Sequence, residues 1–539
     1  MFSLQLFRIF AILFVIQMKL KSLIFFLWIA VAVTAQTPVN ISNPLTWTTD
    51  DLRPYVGQTV VFDVPFYVTN NYSDSYLEIS PRRVFVPTNQ AFPGTTEYSS
   101  IVLANSDATV KLYGVNDYHR MGEKLMGLTV KVTSSTSVTL SGTPVFQGNT
   151  REDLERGHED IGDYNVKVCT MNLEYYLVEN YGDGFGPDNA TQANRQHQKL
   201  LNALAAVDAD IYGLVEIEQG QAALSKMASA LTSRLGHPFS YVNDGGSSSG
   251  SYTKVGYIYR SDKIETYGQL QNIDNPSPLH RKKTLAFQLK ANGEKFIFSL
   301  NHFKAKSGTG TGQDADQGDG QGVFNYTRTR EAEAVVRTLT SNISYFDDPD
   351  VLIMGDLNAY AKEDPVQTLV DAGYIDLHRA FHADSSYSYT YRGQAGYLDH
   401  ALASRSMLEQ VTGMTAYHIN SDEQDDYTYD KSSDVTMFRS SDHDPIIVGL
   451  SLGEYRDPDA SAFWENVEYT THVVSPDEPF ELRNAQGAYL RIYSMWGTLV
   501  YSDRVETDVY TLNYTMSSGV YVVNLYGDGE VKQLKLIVR

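Results

Sequence analysis

Between residues 160 and 453, short runs of β-forming apolar residues alternate along the chain with stretches of helical periodicity. The predicted strands are residues 166–170, 211–215, 255–259, 285–289, 296–300, 351–354 and 446–450. The predicted helices are residues 331–339 and residues 190–207, in which Leu200, Leu201 and Leu204 share one face. This alternation predicts one large α/β domain with a substantial core.

Polar side chains stand at the ends of these predicted strands. They are Asn172, Glu216, Asn301, His302, Asp356, Asn358, Asp399, Asp442 and His443. Strand ends in an α/β domain can meet at one rim of the sheet, where the active sites of such domains commonly lie. We therefore expect these side chains to converge on one site.

The segment Gly355-Asp356-Leu357-Asn358 follows directly on the apolar run 351–354. Side chains two residues apart on an extended segment point to the same side, so the carboxylate and the amide would reach one reacting centre. In isolation such a tetrapeptide is typical of a turn. Its functional interpretation depends on the other strand-end residues.

An oxygen-rich set within this group predicts a metal site. Glu216 and Asp442 supply carboxylates and Asn172 supplies a carbonyl oxygen, which are ligands that Mg²⁺, Mn²⁺ or Ca²⁺ prefers. Such an ion neutralises phosphate charge and polarises a P–O bond. We expect Mg²⁺ here, with Mn²⁺ and Ca²⁺ as alternatives.

The remaining strand-end residues suit the hydrolysis of a phosphodiester. Asp356 and Asn358 would orient an attacking water. His302 and His443 would supply a proton donor and a contact to the transition-state phosphate near neutral pH. Asp399 would hold His443 in one tautomer and favour its protonated form.

The order of these motifs resembles that of the endonuclease/exonuclease/phosphatase superfamily. The matching segments are residues 215–218, 355–358, 397–400 and 441–445, and the resemblance covers about 160–453. Residues 301–306 and 319–322, with Asn325, resemble secreted bacterial extracellular nucleases in particular. The resemblance implies a four-layered αββα sandwich and divalent-metal nuclease activity. It also implies metal binding by Asn172 and Glu216, catalysis by His302 and His443, and a site completed by Asp356, Asn358 and Asp442.

The formal net charge of −22 counts against a nucleic-acid partner, but the charge is unevenly distributed. Residues 281–306 contain seven basic residues and one acid, which predicts a basic strip beside the site. Its basic residues are Arg281, Lys282, Lys283, Lys290, Lys295, Lys304 and Lys306. We expect Arg281, Lys282, Asn301 and Lys304 to contact substrate, and the choice between Arg281 and Lys282 as the phosphate ligand is open.

The N-terminus has the pattern of a signal peptide, residues 1–35. Lys19 and Lys21 precede the apolar stretch 23–33, and small residues precede Gln36. A membrane anchor is the alternative, and either Met1 or Met18 is the start. Residues 38–150 contain short β runs that resemble an oligonucleotide-binding-type β-barrel, with a plain β-barrel spacer as the alternative.

A linker, residues 454–465, separates the α/β domain from a predicted small β-sandwich at 466–539. This last segment resembles the C-terminal sorting domain of type IX secretion, and a carbohydrate-binding sandwich is the alternative. We therefore expect a secreted monomer, extracellular or attached to the cell surface, that meets the secretion machinery through its C-terminal domain. No membrane span is expected in the mature chain. The single Cys169 excludes internal disulfides and is expected to be buried.

The functional prediction is a secreted, metal-dependent nuclease that cleaves extracellular DNA, and also RNA, with low sequence specificity. The same machinery would also serve a lipid phosphodiesterase of the sphingomyelinase type or a phosphatase. A non-catalytic surface adhesin is the third hypothesis.

Overall fold

The computed structural model describes residues 37–41, 43–71, 75–156, 161–245, 252–273, 276, 280–383, 385–454, 468–469, 473–474, 480–494, 499–512, 519–527 and 530–538. The predicted signal peptide, residues 1–35, lies outside the described residues, as does the predicted linker beyond residue 454.

The N-terminal part is built on a nine-stranded sheet whose strands pair in the order β1-β2-β7-β8-β5-β4-β3-β6-β9. Its strands are β1 (Thr37–Val39), β2 (Thr59–Phe62), β3 (Phe66–Asn70), β4 (Leu77–Ser80), β5 (Val110–Tyr113), β6 (Lys124–Met126), β7 (Thr129–Ser134), β8 (Ser137–Leu140) and β9 (Val145–Gln147). A core of its own, which includes Trp47, Leu52 and Phe66, holds the sheet together. The resemblance to an oligonucleotide-binding barrel stays a prediction.

Helical segments interrupt this β-rich part, where the sequence predicts only strands. They are a 3-10 helix (Thr49–Tyr55), α1 (Pro87–Gln90), α2 (Thr96–Ser106) and α3 (Arg151–Arg156). None of the side chains of α2 is buried, and its first turn is capped by Thr95, whose hydroxyl accepts from the Tyr98 amide. The sequence gives no sign of this helix because it has no apolar face.

The central part is an α/β domain with two six-stranded sheets, paired β12-β13-β11-β10-β23-β22 and β14-β15-β16-β17-β21-β18. The strands are β10 (Val166–Tyr176), β11 (Ile211–Glu218), β12 (Phe239–Tyr241), β13 (Thr253–Arg260), β14 (Ile264–Asn272), β15 (Lys282–Leu289), β16 (Lys295–His302), β17 (Val351–Asp356), β18 (Ile375–Asp376), β19 (Tyr389–Tyr391), β20 (Gln394–Gly396), β21 (Asp399–Ala403), β22 (Val411–Ala416) and β23 (Ile446–Leu450). The helices are α4 (Ala190–Val207), α5 (Ala222–Leu235), α6 (Asn325–Phe346), α7 (Asp364–Asp371), α8 (Leu377–His382) and α9 (Arg405–Leu408).

Three apolar cores order these elements into layers of helix, sheet, sheet and helix. The sheets face each other across one core, to which Val168, Phe298 and Met354 belong. A second core joins the first sheet to α4 and α5. A third core joins the second sheet to α6 and α7. The fold is therefore mixed α/β, with the two sheets at its centre.

Most predicted elements of this domain are present and longer than predicted. Helix α4 has the predicted bounds, whereas α6 extends well beyond residues 331–339 at both ends. Strand β10 runs six residues past its predicted end, to Tyr176. Cys169 is buried, as predicted, and burial raises the pKa of its thiol.

The C-terminal part consists of a three-stranded and a five-stranded sheet around a shared core that includes Leu482, Leu490 and Leu536. Its strands are β24 (Glu468–Tyr469), β25 (Val473–Val474), β26 (Glu481–Arg483), β27 (Tyr489–Ser494), β28 (Leu499–Arg504), β29 (Val509–Thr511), β30 (Gly519–Gly527) and β31 (Glu530–Val538). Among the described residues, no helix combines the length and the apolar character needed to span a bilayer.

Candidate active site

The core between the two sheets ends in a cluster of polar side chains. Phe296, Phe298 and Leu300 of β16 face this core, and His302 ends the same strand two residues further on. By the same alternation, Leu352 and Met354 of β17 precede Asp356. The polar cluster therefore caps the apolar interior of the sandwich.

Strand pairing sets the positions of these side chains relative to one another. Strand β16 pairs in parallel with β17 and places His302 opposite Asp356. Strand β17 pairs antiparallel with β21 and places Asp356 opposite Asp399. Asn172 of β10 reaches across from the other sheet, and its Nδ2 donates to Oδ2 of Asp356 at 3.1 Å.

Gly355 is required by the close approach of β16 to β17. Its φ is +124°, and a Cβ at this position would lie 2.1 Å from the carbonyl oxygen of Asn301. Only glycine adopts this conformation without strain, and any side chain would force the two strands apart. The glycine thus allows the strand pairing that sets His302 opposite Asp356.

Asp356 and Asn358 meet through a turn, whereas the sequence predicts an extended segment. Strand β17 ends at Asp356, and Asn358 has a left-handed backbone with φ of +48°. The Asp356 carboxylate accepts from the Asn358 amide nitrogen at 2.8 Å and from its Nδ2 at 3.2 Å. Burial, and then the charges of Asp399 and Glu216, raise the Asp356 pKa to about 7.

Glu216 reaches the site through a break in the regular alternation of β11. Its φ is +59°, and the pairing of β11 shifts register around it. Its carboxylate accepts from the Tyr175 amide at 3.0 Å and lies 3.6 Å from Nε2 of His302. Burial, and then the charge of Asp442, raise the Glu216 pKa to about 7.

His302 and His443 lie in opposite electrostatic surroundings. Burial, and then the charge of Arg281, hold the His302 pKa well below its ordinary value. Burial also opposes the charged form of His443, but Asp399, Asp442 and Asp356 outweigh it and hold that pKa well above the ordinary value. His302 is therefore neutral and His443 is a cation near pH 7.

Asp399 forms a hydrogen bond with His443. Its Oδ2 lies 2.7 Å from Nδ1 of His443 and accepts from the Ser388 hydroxyl at 2.8 Å. Because Nδ1 is engaged, Nε2 of His443 is the ring nitrogen left for chemistry; it lies 3.9 Å from Oδ2 of Asp442. Asp442, one-third exposed, stands where the site opens.

The predicted metal-binding set fits a divalent cation by its donor chemistry. The charge of Asp442 adds to the cost of ionising the buried Glu216, which a bound cation would offset. The Oδ1 of Asn172 accepts one hydrogen bond, from the Glu174 amide at 3.0 Å, and retains a lone pair. Asp356, Asp399 and His443 each offer a ligand atom, and these atoms lie within 4.8 Å of one another. The Asp399–His443 hydrogen bond and the pairing of Asp356 with Asp399 between β17 and β21 account for that proximity.

Asn301 does not reach the site, contrary to the sequence prediction. It is buried, and its Nδ2 donates to the carbonyl and to the hydroxyl of Ser299, each at 3.1 Å. Successive strand residues face opposite sides of a sheet, so Asn301 faces the helical layer when His302 faces the site.

The lysines of the predicted basic strip do not form one surface. Lys282 is buried, with its Nζ 3.0 Å from Oε1 of Glu331 on α6. Lys283 and Lys306 form ion pairs with carboxylates of other segments. The prediction of a basic strip is wrong because these lysines form ion pairs with carboxylates within the fold.

Two of the predicted substrate-binding residues remain beside the site. Arg281 precedes β15, its carbonyl accepts from the His302 amide at 2.7 Å, and its charge acts on Glu216 and His302. Lys304 is only partly buried, and its Nζ lies 4.5 Å from the centre of the Phe324 ring. Of the pair left open by the sequence, both act on His302 through their charge, Arg281 more strongly, but the ammonium of Lys282 is paired with Glu331.

The sequence prediction missed Glu174, a further carboxylate at this site. Burial, and then the charge of Asp442, raise its pKa to about 8. Its position two residues after Asn172 is a signal that could have drawn attention to it. Its backbone is left-handed, with φ of +52°, which no sequence pattern here indicates.

A loop at residues 418–423 fixes the segment that carries Asp442 and His443. The side chain of Asn420 donates to the His443 carbonyl at 2.7 Å and accepts from the Ser440 amide at 2.8 Å. The Asp444 carboxylate accepts from the amides of Asn420 and Ser421, each at 2.9 Å.

The N-terminal part holds this loop in turn, through buried ion pairs. Arg120 lies 2.6 Å from Glu423, and both side chains are at most 1% exposed. Arg83 pairs with Asp422, which also accepts from Asn149 at 2.7 Å. The N-terminal part is therefore a structural support of the loop behind the site.

Residues 164–443 match the profile of the Endonuclease/Exonuclease/phosphatase family. Among curated proteins, none matches the chain.

Solved structures similar to the chain include an endonuclease/exonuclease/phosphatase from Bacteroides vulgatus, at 16% identity, covering 53% of this chain and 98% of that one, with a TM-score of 0.37. The human Nocturnin catalytic domain with bound sulfate is similar at 14% identity, and the match covers 53% of this chain and 94% of that one, with a TM-score of 0.35. A mannosyl-6-phosphatase from Bacteroides thetaiotaomicron is similar at 15% identity, and the match covers 53% of this chain and 100% of that one, with a TM-score of 0.35.

Proposed function

The chain belongs to the endonuclease/exonuclease/phosphatase family, a family of phosphoester hydrolases, and on that premise we propose that it is a secreted, divalent-metal-dependent nuclease. Its substrate is extracellular DNA, with RNA as a further substrate, cleaved with low sequence specificity. The observation that carries the proposal is the convergence of Glu216, His302, Asp356 and His443 at one end of the inter-sheet core.

Glu216, Asn172 and Asp442 are the residues that would hold the metal ion. When bound, a divalent ion supplies charge neutralisation and polarisation at the phosphoryl group. The remaining chemistry belongs to side chains of the protein.

Asp356 is the group that orients the attacking water and accepts its proton. Hydrogen bonds from Asn358 and Asn172 fix the carboxylate. Its raised pKa makes it a stronger base than an ordinary aspartate.

The two histidines act on the phosphoryl group in different protonation states. His443, protonated and held by Asp399, donates from Nε2 to the phosphoryl oxygens as negative charge develops. His302 is neutral and lies between Glu216 and Asp356, with Nε2 at 3.6 and 3.8 Å from their carboxylates. It therefore contacts the phosphate as a neutral donor.

Two observations support a nucleic acid as the substrate. Arg281 and Lys304 place positive charge beside the reacting groups even though the chain as a whole is strongly acidic. In addition, the segment that begins at Asn301 and His302 resembles secreted bacterial extracellular nucleases.

Secretion is proposed from two sequence patterns, one in each terminal region. The signal-peptide pattern at residues 1–35 and the sorting-domain resemblance at 466–539 support export by the type IX route, to the medium or the cell surface. Loss of export on deletion of residues 466–539 would support this, and unchanged export of that truncated protein would contradict it.

The proposed activity is tested by incubating the purified protein with supercoiled plasmid, structured RNA and sphingomyelin liposomes, in the presence of Mg²⁺ or of EDTA. We expect plasmid cleavage that needs the metal and that falls at least about hundredfold in His302→Ala and in Asp356→Asn. Asp356→Asn should bind DNA nearly as well as the wild type, because Arg281 and Lys304 remain. Asp371→Asn, an exposed aspartate at the end of α7, is the matched control.

Cleavage that persists in EDTA, or full activity in His302→Ala, would refute the mechanism. Turnover of sphingomyelin alone would reassign the protein as a lipid phosphodiesterase. Turnover of p-nitrophenyl phosphate, a phosphomonoester tested alongside, with no turnover of the other substrates would make it a phosphatase.

A further inference from the structure

Three aromatic side chains beside the site form one contiguous surface, the aromatic platform: Tyr175, Phe185 and Tyr252. The ring centres of Tyr175 and Phe185 are 5.4 Å apart, and those of Phe185 and Tyr252 are 5.2 Å apart. Phe185 is 47% exposed and Tyr252 is 41% exposed. Contiguous exposed aromatic surface beside a candidate active site is a candidate surface for a ligand.

The aromatic platform is attached directly to the metal-binding carboxylate. The amide of Tyr175 donates to Glu216 at 3.0 Å. The carbonyl of Tyr252 accepts from the Gln219 amide at 3.1 Å, three residues beyond Glu216. A ligand whose phosphate lies at Glu216 would therefore have its adjoining group over these rings.

The backbone that presents Tyr175 is strained and braced. Glu174 and Tyr175 have φ of +52° and +54°, a left-handed conformation that is unfavourable for residues other than glycine. The fully buried Gln196 holds the segment, its Nε2 donating to the Glu174 carbonyl at 2.8 Å. Gly186 brings the loop of Phe185 so close that a Cβ there would lie 2.6 Å from the Tyr175 carbonyl oxygen.

We propose that the aromatic platform is a nucleobase-binding subsite, which stacks on the base next to the phosphate that is cleaved. The proposal rests on the proposed nuclease function and names the part of the substrate that gives it affinity. Aromatic rings stack on every base, which suits cleavage without strong sequence preference.

The charges around the aromatic platform favour an uncharged group, rather than a phosphate, over the rings. The loop that carries Phe185 also carries Asp183 and Asp188, which repel a phosphate. The phosphates of a nucleic acid have Arg281 nearby, so the uncharged base is the part that meets the rings.

Two single-stranded oligonucleotides of equal length test the proposal, one with normal bases and one with abasic tetrahydrofuran units throughout. Phe185→Ala and Tyr252→Ala should each lower kcat/KM on the normal oligonucleotide by about tenfold. Their kcat/KM on the abasic one should match that of the wild type. Tyr267→Ala, equally exposed at 41% but on β14, is the control and should change neither.

The possible results of this experiment distinguish the subsite from the nuclease function. Equal losses on both oligonucleotides, or no loss on either, would overturn the subsite while leaving the nuclease function intact. A wild type that cleaves neither oligonucleotide, nor the supercoiled plasmid or the structured RNA, with Mg²⁺, Mn²⁺ or Ca²⁺ would refute the nuclease function itself. Loss of binding to sphingomyelin–phosphatidylcholine vesicles in the two variants, with unchanged oligonucleotide cleavage, would reassign the platform to lipid.

Discussion

At the scale of single residues, part of the site depends on residues whose backbones leave the regular strand conformation. Glu216 and Asn358 are left-handed, and Gly355 has a φ of +124°. Such conformations are costly and persist where the surrounding structure imposes them. In this protein, these irregular conformations direct polar side chains into the site from strands whose regular alternation would point them elsewhere.

Gly355 provides a direct test of this view. Gly355→Ala should destabilise the fold by at least about 3 kcal/mol, because the Cβ would combine a strained φ with a clash against the Asn301 carbonyl. Gly373→Ala is the matched control: its φ is +96°, but a Cβ would meet no described atom within 4 Å, so about 1 kcal/mol is expected. Chemical denaturation measures both, and equal losses would show that the close approach of strands contributes nothing.

At the scale of elements, the position of His443 is set by contact between two loops whose bonded residues Asn420 and His443 are 23 residues apart in sequence. The segment 440–444 carries His443, and the loop 418–423 carries the side chains and amides that hold it. Neither has regular secondary structure, so the hydrogen bonds between them determine where the imidazole lies.

Asn420→Ala should therefore separate positioning from stability. The variant loses the hydrogen bonds to the His443 carbonyl and the Ser440 amide, and we expect about 1–3 kcal/mol of lost stability with kcat reduced about tenfold or more. Asn292→Ala loses a similar hydrogen bond, to the Leu452 carbonyl at 2.9 Å, and should leave kcat unchanged. Equal kcat in the two variants would refute a positioning role for Asn420.

At the scale of the whole molecule, the N-terminal part is joined to the catalytic domain by buried charges. A buried ion pair that loses one partner leaves an uncompensated charge, which costs about 3–5 kcal/mol. We expect a loss of this size in Glu423→Ala, because the buried Arg120 then loses the carboxylate that pairs with it, whereas Arg120→Ala would leave Glu423 paired with Arg151. Arg53→Ala breaks an exposed pair with Asp50 and should cost at most about 1 kcal/mol. Calorimetry that shows equal melting temperatures for the two variants would contradict this prediction.

The same interface should make stability depend on acidity. Burial opposes the charged form of Asp422, but Arg83, His418 and Arg120 outweigh it and hold its pKa below the ordinary value. The stabilisation is therefore present above about pH 4, the ordinary aspartate value, and is lost as the pH falls through the lower folded-state pKa. Melting temperatures from pH 5 to pH 2 should fall less steeply in Asp422→Asn than in the wild type, and an unchanged slope would exclude Asp422 as a source.

Much of the catalytic domain could be predicted because its signals are local. Helix α4 has the bounds that its apolar face predicts, and β23 those of its apolar run. Helix α2 could not be predicted, because none of its side chains is buried and an apolar period is the signal that reveals a helix.

The sequence by itself determined the chemistry of the site, since strand ends carry the carboxylates, amides and histidines in an order that implies phosphoester hydrolysis. Only the tertiary structure decided which charges face the substrate. Lys282 pairs with Glu331, 49 residues away, and Asp422 with Arg83, 339 residues away. Periodicity is a property of neighbouring residues, whereas the pairing of a charge depends on which distant segment packs against it.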